Sequence, residues 1–168
     1  SGYGRYGVSR SGAADNLAIR MGNALLGNQE SSACLEVAMG GLVLQCLERP
    51  IHLALTGANC NATIQRSMLL GAPPEMVRIN ETFTLRPGDE LALGYAKDGA
   101  RTYLCIQNGF DVPYVLGSRS TDIRAKLGGV NGRILIPGDI LGCVQDNSTN
   151  EDSMLIPLRS VYDPMLER

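Results

Sequence analysis

The spacing of hydrophobic and polar positions changes several times along the chain, and each change predicts an element. From Ser11 the stretch S-G-A-A-D opens an apolar series at Leu17, Met21, Ala24 and Leu25, spaced as one face of a helix, and Gly27-Asn28 closes it. Ser11 is placed to cap this helix, and Asp15 in the first turn suits the positive end of its dipole. After the helix the period falls to two. Ala33, Leu35, Val37 and Met39 alternate with Cys34, Glu36 and Ala38, and Gly40-Gly41 then leads into Leu42, Leu44 and Cys46. That pattern predicts two strands joined by a glycine hairpin or bulge. A further strand is expected over residues 51–58, then a loop at Pro73-Pro74 and a mixed strand over 76–85. Strands are also expected over 102–107 and 133–136. Arg86-Pro87-Gly88-Asp89-Glu90-Leu91 and Ile136-Pro137-Gly138-Asp139-Ile140-Leu141 are turns of one chemistry, each feeding an apolar strand, as in Greek-key and barrel topologies.

Composition supports a β reading. With 168 residues the chain can bury a core, while 20 Gly, eight Pro and no Trp favour many turns and short strands over long helices. A net charge of −2 without a basic run argues against nucleic acid as a partner. No apolar run reaches membrane-spanning length, so no membrane contact is expected. Five cysteines, an odd number with no C-x-x-C pair, fit neither a disulfide framework nor zinc and point to a reducing, cytoplasmic setting. Cys34, Cys46 and Cys105 read as small core residues, and Cys60, in a turn-like Asn59-Cys60-Asn61, is the thiol to test for reactivity. The composition turns polar from Asp146, which predicts a domain over 1–145 and, over 146–168, a linker with the start of a second subdomain; residues 156–168 read as a strand or docking arm.

The densest candidate chemistry lies over residues 108–122, read as NGFDVPYVLGSRSTD. Asn108-Gly109 signals a turn, Pro113 bars a central strand, and Gly117 frees the backbone beside Ser118, Arg119, Ser120 and Thr121. Three hydroxyls and a planar guanidinium can grip a carboxylate or phosphate. The alternative is structural: Arg119 pairs with Asp122 or Asp111, and the hydroxyls cap a short helix over 121–127. The helix start at Ser11 and Asp15 is both a cap and a possible anion site. Glu36 and Asn59 are candidates for a site wall. His52, the sole histidine, has no partner ligands for a metal, so none is expected, and it reads as a surface residue, with a general-base role left open.

The core D-V-P-x-V-L-G-S-R-S-T, ending at Thr121, resembles the family of C-type 5-oxoprolinase subunits, also called KipA-like or allophanate hydrolase subunit 2-like proteins, which also supplies part of the carboxyltransferase region of urea carboxylases. Other matching pieces are Gly2-Tyr3 and Gly7-Val8, the S-G-A-x-D ending at Asp15, the N-x-L-x-G-N from Asn23 to Asn28, Thr56-Gly57-Ala58, and Gly128-Gly129 with Gly132-Arg133. Asn108 replaces a family glycine, and the first part of the opening motif is absent, so the chain is expected to begin inside a domain. The resemblance implies a mainly β, cyclophilin-like β-barrel with one or two short helices. It also implies ATP-dependent chemistry on amides or lactams, such as opening 5-oxoproline with a KipI-like partner, the B-type 5-oxoprolinase subunit. Two other roles stay open: a carboxyltransferase module, for which the chain carries no A-M-K-M biotin attachment site, and a regulatory protein that captures a kinase-inhibitor partner. The residues themselves support an anion site, in which Ser11, Asp15, Thr56, Ser118, Arg119, Ser120 and Thr121 are expected to converge on a carboxylate or phosphate.

Overall fold

The computed structural model describes residues 12–69 and 71–144 and the backbone of 158–161. In chain order the elements are α1 (Asn16–Leu25), β1 (Leu35–Ala38), β2 (Leu42–Cys46), β3 (Ile51–Gly57), β4 (Thr63–Gln65), β5 (Glu75–Met76), β6 (Thr82–Leu85), β7 (Glu90–Leu93), β8 (Arg101–Ile106), β9 (Ile140–Leu141) and β10 (Leu158–Val161). The strands form two antiparallel sheets, ordered β1-β8-β3-β6 and β5-β4-β7-β2-β10-β9. Leu53, Leu55, Leu104 and Ile106 of the first sheet meet Leu44, Leu91 and Leu93 of the second in one core. Each such side chain contributes roughly 1.5–3 kcal/mol when fully removed from water. The mainly β fold with one helix agrees with the expectation.

Gly40 and Gly41 do not make a hairpin. β1 pairs with β8 in one sheet, whereas β2 pairs with β7 and β10 in the other. The change of sheet is abrupt: the Met39 N–H bonds Ala100 O in the first sheet, and the Gly41 N–H bonds Leu93 O in the second. The corner is tight enough that a Cβ on Gly40 would run into the backbone of Gly94, and its φ of 122° lies where side chains are strained.

The helix also departs from its periodicity. Its buried residues are Ala18, Gly22 and Asn23, while Leu17 is 65% exposed and Met21 and Leu25 are 43% exposed. Small residues let α1 lie close on the first sheet; a Cβ on Gly22 would stand 2.5 Å from Cys105 Sγ and 3.3 Å from Thr56 Oγ1. The apolar stripe therefore faces outward. Asp15 is the N-cap, its Oδ1 accepting the Ala18 N–H at 3.1 Å. The far end closes with Gly27 N–H to Ala24 O and Asn28 N–H to Asn23 O, the paired bonds of a Schellman motif. The Asn28 side chain then bonds Asn23 Oδ1 and Ile106 O and accepts the Asn108 N–H, fixing the turn after β8, where Asn108 has a φ of 66°.

The two P-G-D turns are built alike. Asp89 accepts the Arg86 N–H and pairs with Arg66, and Asp139 accepts the Ile136 N–H and pairs with Arg133. They feed β7 and β9 as expected. Residues 133–136, by contrast, form no strand, and 121–127 form no helix: Asp122 and Leu127 exchange both backbone bonds around a turn, with Asp122 Oδ1 accepting from Ala125 N. The polar run 146–157 lies outside the described residues, and so does Ser11. Residues Leu158–Val161 pair with β2 and β9, so part of the expected strand or arm belongs to the second sheet.

Candidate functional site

Val115 and Ser118 exchange backbone bonds of 2.8 and 3.0 Å across a two-residue turn. Leu116 at φ 50° and Gly117 at φ 80° give it the left-handed pair of a type I′ hairpin. The chain emerging from this turn is held by Ser118, whose Oγ accepts the Ser120 N–H at 3.1 Å and lies 3.0 Å from Ser120 Oγ. From below, Gly128 and Gly129 press against Ser120 and Thr121 so closely that a Cβ on either glycine would overlap them. The glycine-rich loop is therefore a seat for the hydroxyl segment. Arg119 projects into solvent over the Tyr114 ring, 5.5 Å from its centroid. Among the described residues no carboxylate forms an ion pair with it, so the expected alternative of an Asp111 or Asp122 partner is not what holds it.

Across from this segment stands the start of α1. The Ala14 N–H donates to Glu36 Oε2 at 3.0 Å, and the Asp15 N–H donates to the Tyr103 hydroxyl at 2.8 Å. Glu36 Oε1 is 2.7 Å from Arg101 Nε, a charge contact in which the N–H is not aligned on the oxygen. Burial raises the Tyr103 phenol above its ordinary value; the Asp15 N–H works against this and the negative charge of Glu36 adds to it. Two of the amides at the approach to α1, those of Ala14 and Asp15, are thus already taken up by the protein's own carboxylate and phenol.

Between these walls lies a cleft of about 1200 Å³. Gly12, Ala13 and Asn16, Glu36, and Ser118, Arg119, Ser120 and Thr121 all line it. Asp15, Thr56 and Asn59 do not. Thr56 is buried and donates from Oγ1 to Ala18 O at 2.7 Å, tying α1 to β3, and Asn59 accepts the Asn61 N–H in its own turn. Of the residues expected at an anion site, Ser118, Arg119, Ser120 and Thr121 therefore share one cleft, with the expected wall residue Glu36 on its other side. Cys60 is buried, and burial raises its thiol. His52 lies exposed, 3.0 Å from Thr84 Oγ1 on β6, away from the cleft. No cluster of three or more potential metal ligands occurs among the described residues. Two cleft residues are not evident from the sequence. Tyr114 sits five residues before Arg119, on the far side of the hairpin. Arg133 is visible there only as part of a glycine motif, and both its terminal nitrogens are engaged by Asp139 at 2.7 and 2.8 Å.

Among the described residues Arg119 is thus the cationic side chain of the cleft without an anionic partner, with hydroxyls on either side of it. That set has the chemistry to hold a carboxylate or similar group; among the described residues it does not pair a nucleophile with a general base. Residues 6–166 match the family described as carboxyltransferase domain, subdomain A and B. The chain belongs to that family. The carboxyltransferase-domain match is accompanied by 40% identity over 162 residues to the C-type 5-oxoprolinase subunit of Haemophilus influenzae, covering 95% of this chain and 50% of that protein. The C-type 5-oxoprolinase subunit of Escherichia coli is 36% identical over 140 residues, 83% of this chain and 42% of its own length. The crystal structure of the Kluyveromyces lactis urea carboxylase aligns with a TM-score of 0.73 and 31% identity over 92% of this chain and 13% of that one. This carboxyltransferase-family chain therefore spans about half the length of the 5-oxoprolinase subunits it resembles.

Proposed function

We propose that this chain is the cleft-bearing part of a subunit of a 5-oxoprolinase-type enzyme, an ATP-dependent hydrolase of a small cyclic amide that works with a KipI-like second subunit in the cytoplasm. The observation that carries this reading is Arg119: a guanidinium with no anionic partner among the described residues, beside three hydroxyls, in a chain 40% identical to a C-type 5-oxoprolinase subunit. A lactam that bears a carboxylate suits such a site, because the guanidinium takes the carboxylate in two parallel bonds while Ser118, Ser120 and Thr121 face its amide. The word subunit in the relatives' names supports a multi-subunit assembly.

The described cleft residues fit one anionic group and not a triphosphate. Arg133 is committed to Asp139, the Ala14 and Asp15 amides are committed to Glu36 and Tyr103, and the glycine loop packs on Ser120 and Thr121. ATP is accordingly assigned to residues that the partner brings to the cleft. A second reading, a carboxyltransferase module that accepts a carboxyl group from a separate biotin carrier, is favoured by the likeness to the urea carboxylase structure.

The test is to purify the full-length protein with its KipI-like partner and follow 5-oxoproline, ATP and glutamate. ATP-dependent glutamate release that weakens in Arg119→Ala through a higher KM supports the first reading. Carboxylation of urea by an added carboxybiotin carrier, without lactam opening, replaces it with the second. Tight partner binding with no turnover of either substrate leaves the regulatory role.

A further inference from the structure

Cys34 and Cys105 read as two separate core residues in sequence, but the sheet brings them together. Carrying the β1–β8 register one step beyond Leu35↔Leu104 sets Cys34 opposite Cys105. The bond from Met39 N to Ala100 O makes that couple a hydrogen-bonded pair. Bonded and non-bonded pairs alternate along an antiparallel ladder, so 37/102 and 35/104 are bonded and 36/103 and 34/105 are not. At a non-bonded pair the Cα atoms approach to about 4.5 Å with side chains on the same face, a separation that a disulfide spans.

The face is fixed independently. Glu36 and Tyr103, the neighbouring non-bonded pair, both bond the start of α1, so Cys34 and Cys105 lie beneath the same helix. Cys105 Sγ sits under Gly22 and 4.0 Å from Ile19 O, fully buried. Cys34 is partly exposed and lines the cleft. A hydrogen bond from Cys34 holds the Cys105 thiol below its ordinary value, against the effect of burial, and the same bond together with burial raises Cys34, so the shared proton sits on Cys34. The other three cysteines are buried and line no part of the cleft.

We propose that Cys34 and Cys105 form an oxidisable pair, a modification site reached from the cleft, which a hydroperoxide converts to a disulfide linking β1 to β8. As the cleft-facing Cys34 sulfur attacks the O–O bond, its proton passes to the Cys105 thiolate to which it is hydrogen-bonded; Cys34 becomes a sulfenic acid and the peroxide leaves as hydroxide. Cys105 then attacks the Cys34 sulfur, the S–O bond breaks, and the departing hydroxide takes the remaining proton. In sum two thiols lose two hydrogens and hydrogen peroxide becomes two waters.

The experiment is peroxide treatment of the folded wild-type protein, followed by digestion without reductant and mass spectrometry. The expected result is a peptide pair joined through Cys34 and Cys105, lighter by two hydrogens and released by dithiothreitol. Cys105→Ser should instead leave a sulfenic acid on Cys34 that dimedone traps, and Cys60→Ser should leave the cross-link unchanged. Wild-type protein in which both residues remain thiols, oxidise separately, or link to other cysteines overturns the proposal. The wild-type map decides by itself if a variant does not fold.

Discussion

Arg119 stands over the ring of Tyr114, 5.5 Å from its centroid, and the tight turn at Leu116 and Gly117 keeps both on one rim of the cleft. An exposed contact of this kind contributes about 0.5–1 kcal/mol. Arg119→Ala is therefore expected to lower stability by no more than that, while reducing affinity for a carboxylate ligand by tenfold or more, roughly the loss of one charge-assisted pair. Arg119→Lys should recover only part of the binding, because an ammonium cannot form the two parallel bonds. Calorimetric titration with 5-oxoproline beside a thermal melt measures both. A melt that falls steeply would show Arg119 to be a structural residue.

The two P-G-D turns predict how the fold responds to acid. Its two bonds to Arg133 hold Asp139 down to about 2, against an ordinary value of 3.8. Burial pushes Asp89 up, but the Arg86 N–H, Arg66 and the Ser67 N–H outweigh it, and its net shift is also downward. A folded value below the unfolded one means stability that is present above the unfolded value and lost as pH falls through the folded one. Urea midpoints should thus be flat from about pH 6 to about pH 4 on account of Asp139 and decline towards about pH 2. In Asp139→Asn the protein should be weaker at neutral pH and show a shallower decline; an unchanged acid slope would remove Asp139 from this account.

Gly40→Ala is expected to be among the more costly single-methyl additions. It combines a φ of 122° with overlap on the Gly94 backbone, and backbone strain and overpacking each cost about 1–3 kcal/mol. Gly71→Ala is the comparison, since its φ of 86° is strained but its Cβ meets nothing within 4 Å. Chemical denaturation of the two variants should separate them; equal losses would mean that the corner relaxes freely.

The outward stripe of α1 gives a prediction opposite to the one periodicity makes. Met21→Lys, at a 43% exposed position, should change stability by less than about 0.5 kcal/mol. Ala18→Leu, at a buried position, should destabilise by about 1–3 kcal/mol through overpacking. Denaturation midpoints check the contrast, and the reverse order would put Leu17, Met21 and Leu25 in the core.

Why the helix was legible in extent but not in orientation follows from these residues. Gly27 and Asn28 are end signals that act through the local backbone and so can be read in sequence, whereas the cap expected at Ser11 falls on Asp15. Which face is buried depends on how closely a second element approaches, and Ala18 and Gly22 carry too little apolar weight to announce it. β3 and β8 were visible because nearly every residue in them is buried. The Gly40 corner was not, since two alternating runs joined by two glycines read alike whether they pair or part. In the cleft, Arg119 and its hydroxyls stood out as a contiguous motif. Thr56 was misplaced because its bond to Ala18 O is a long-range contact, and the opposition of Cys34 and Cys105 exists only once β1 and β8 are in register.

The position of β2 between β7 and β10 has a consequence for how the chain is made. One side of β2 finds its partner when residues 90–93 emerge, but the other waits for Leu158, whose register mate is Cys46. During synthesis a strand bearing Val43, Leu44 and Cys46 therefore presents a bare row of N–H and C=O groups until Leu158 emerges, a template on which nascent chains can pair with one another. Expression yield should thus depend on the speed with which the segment bearing Leu158 follows β9.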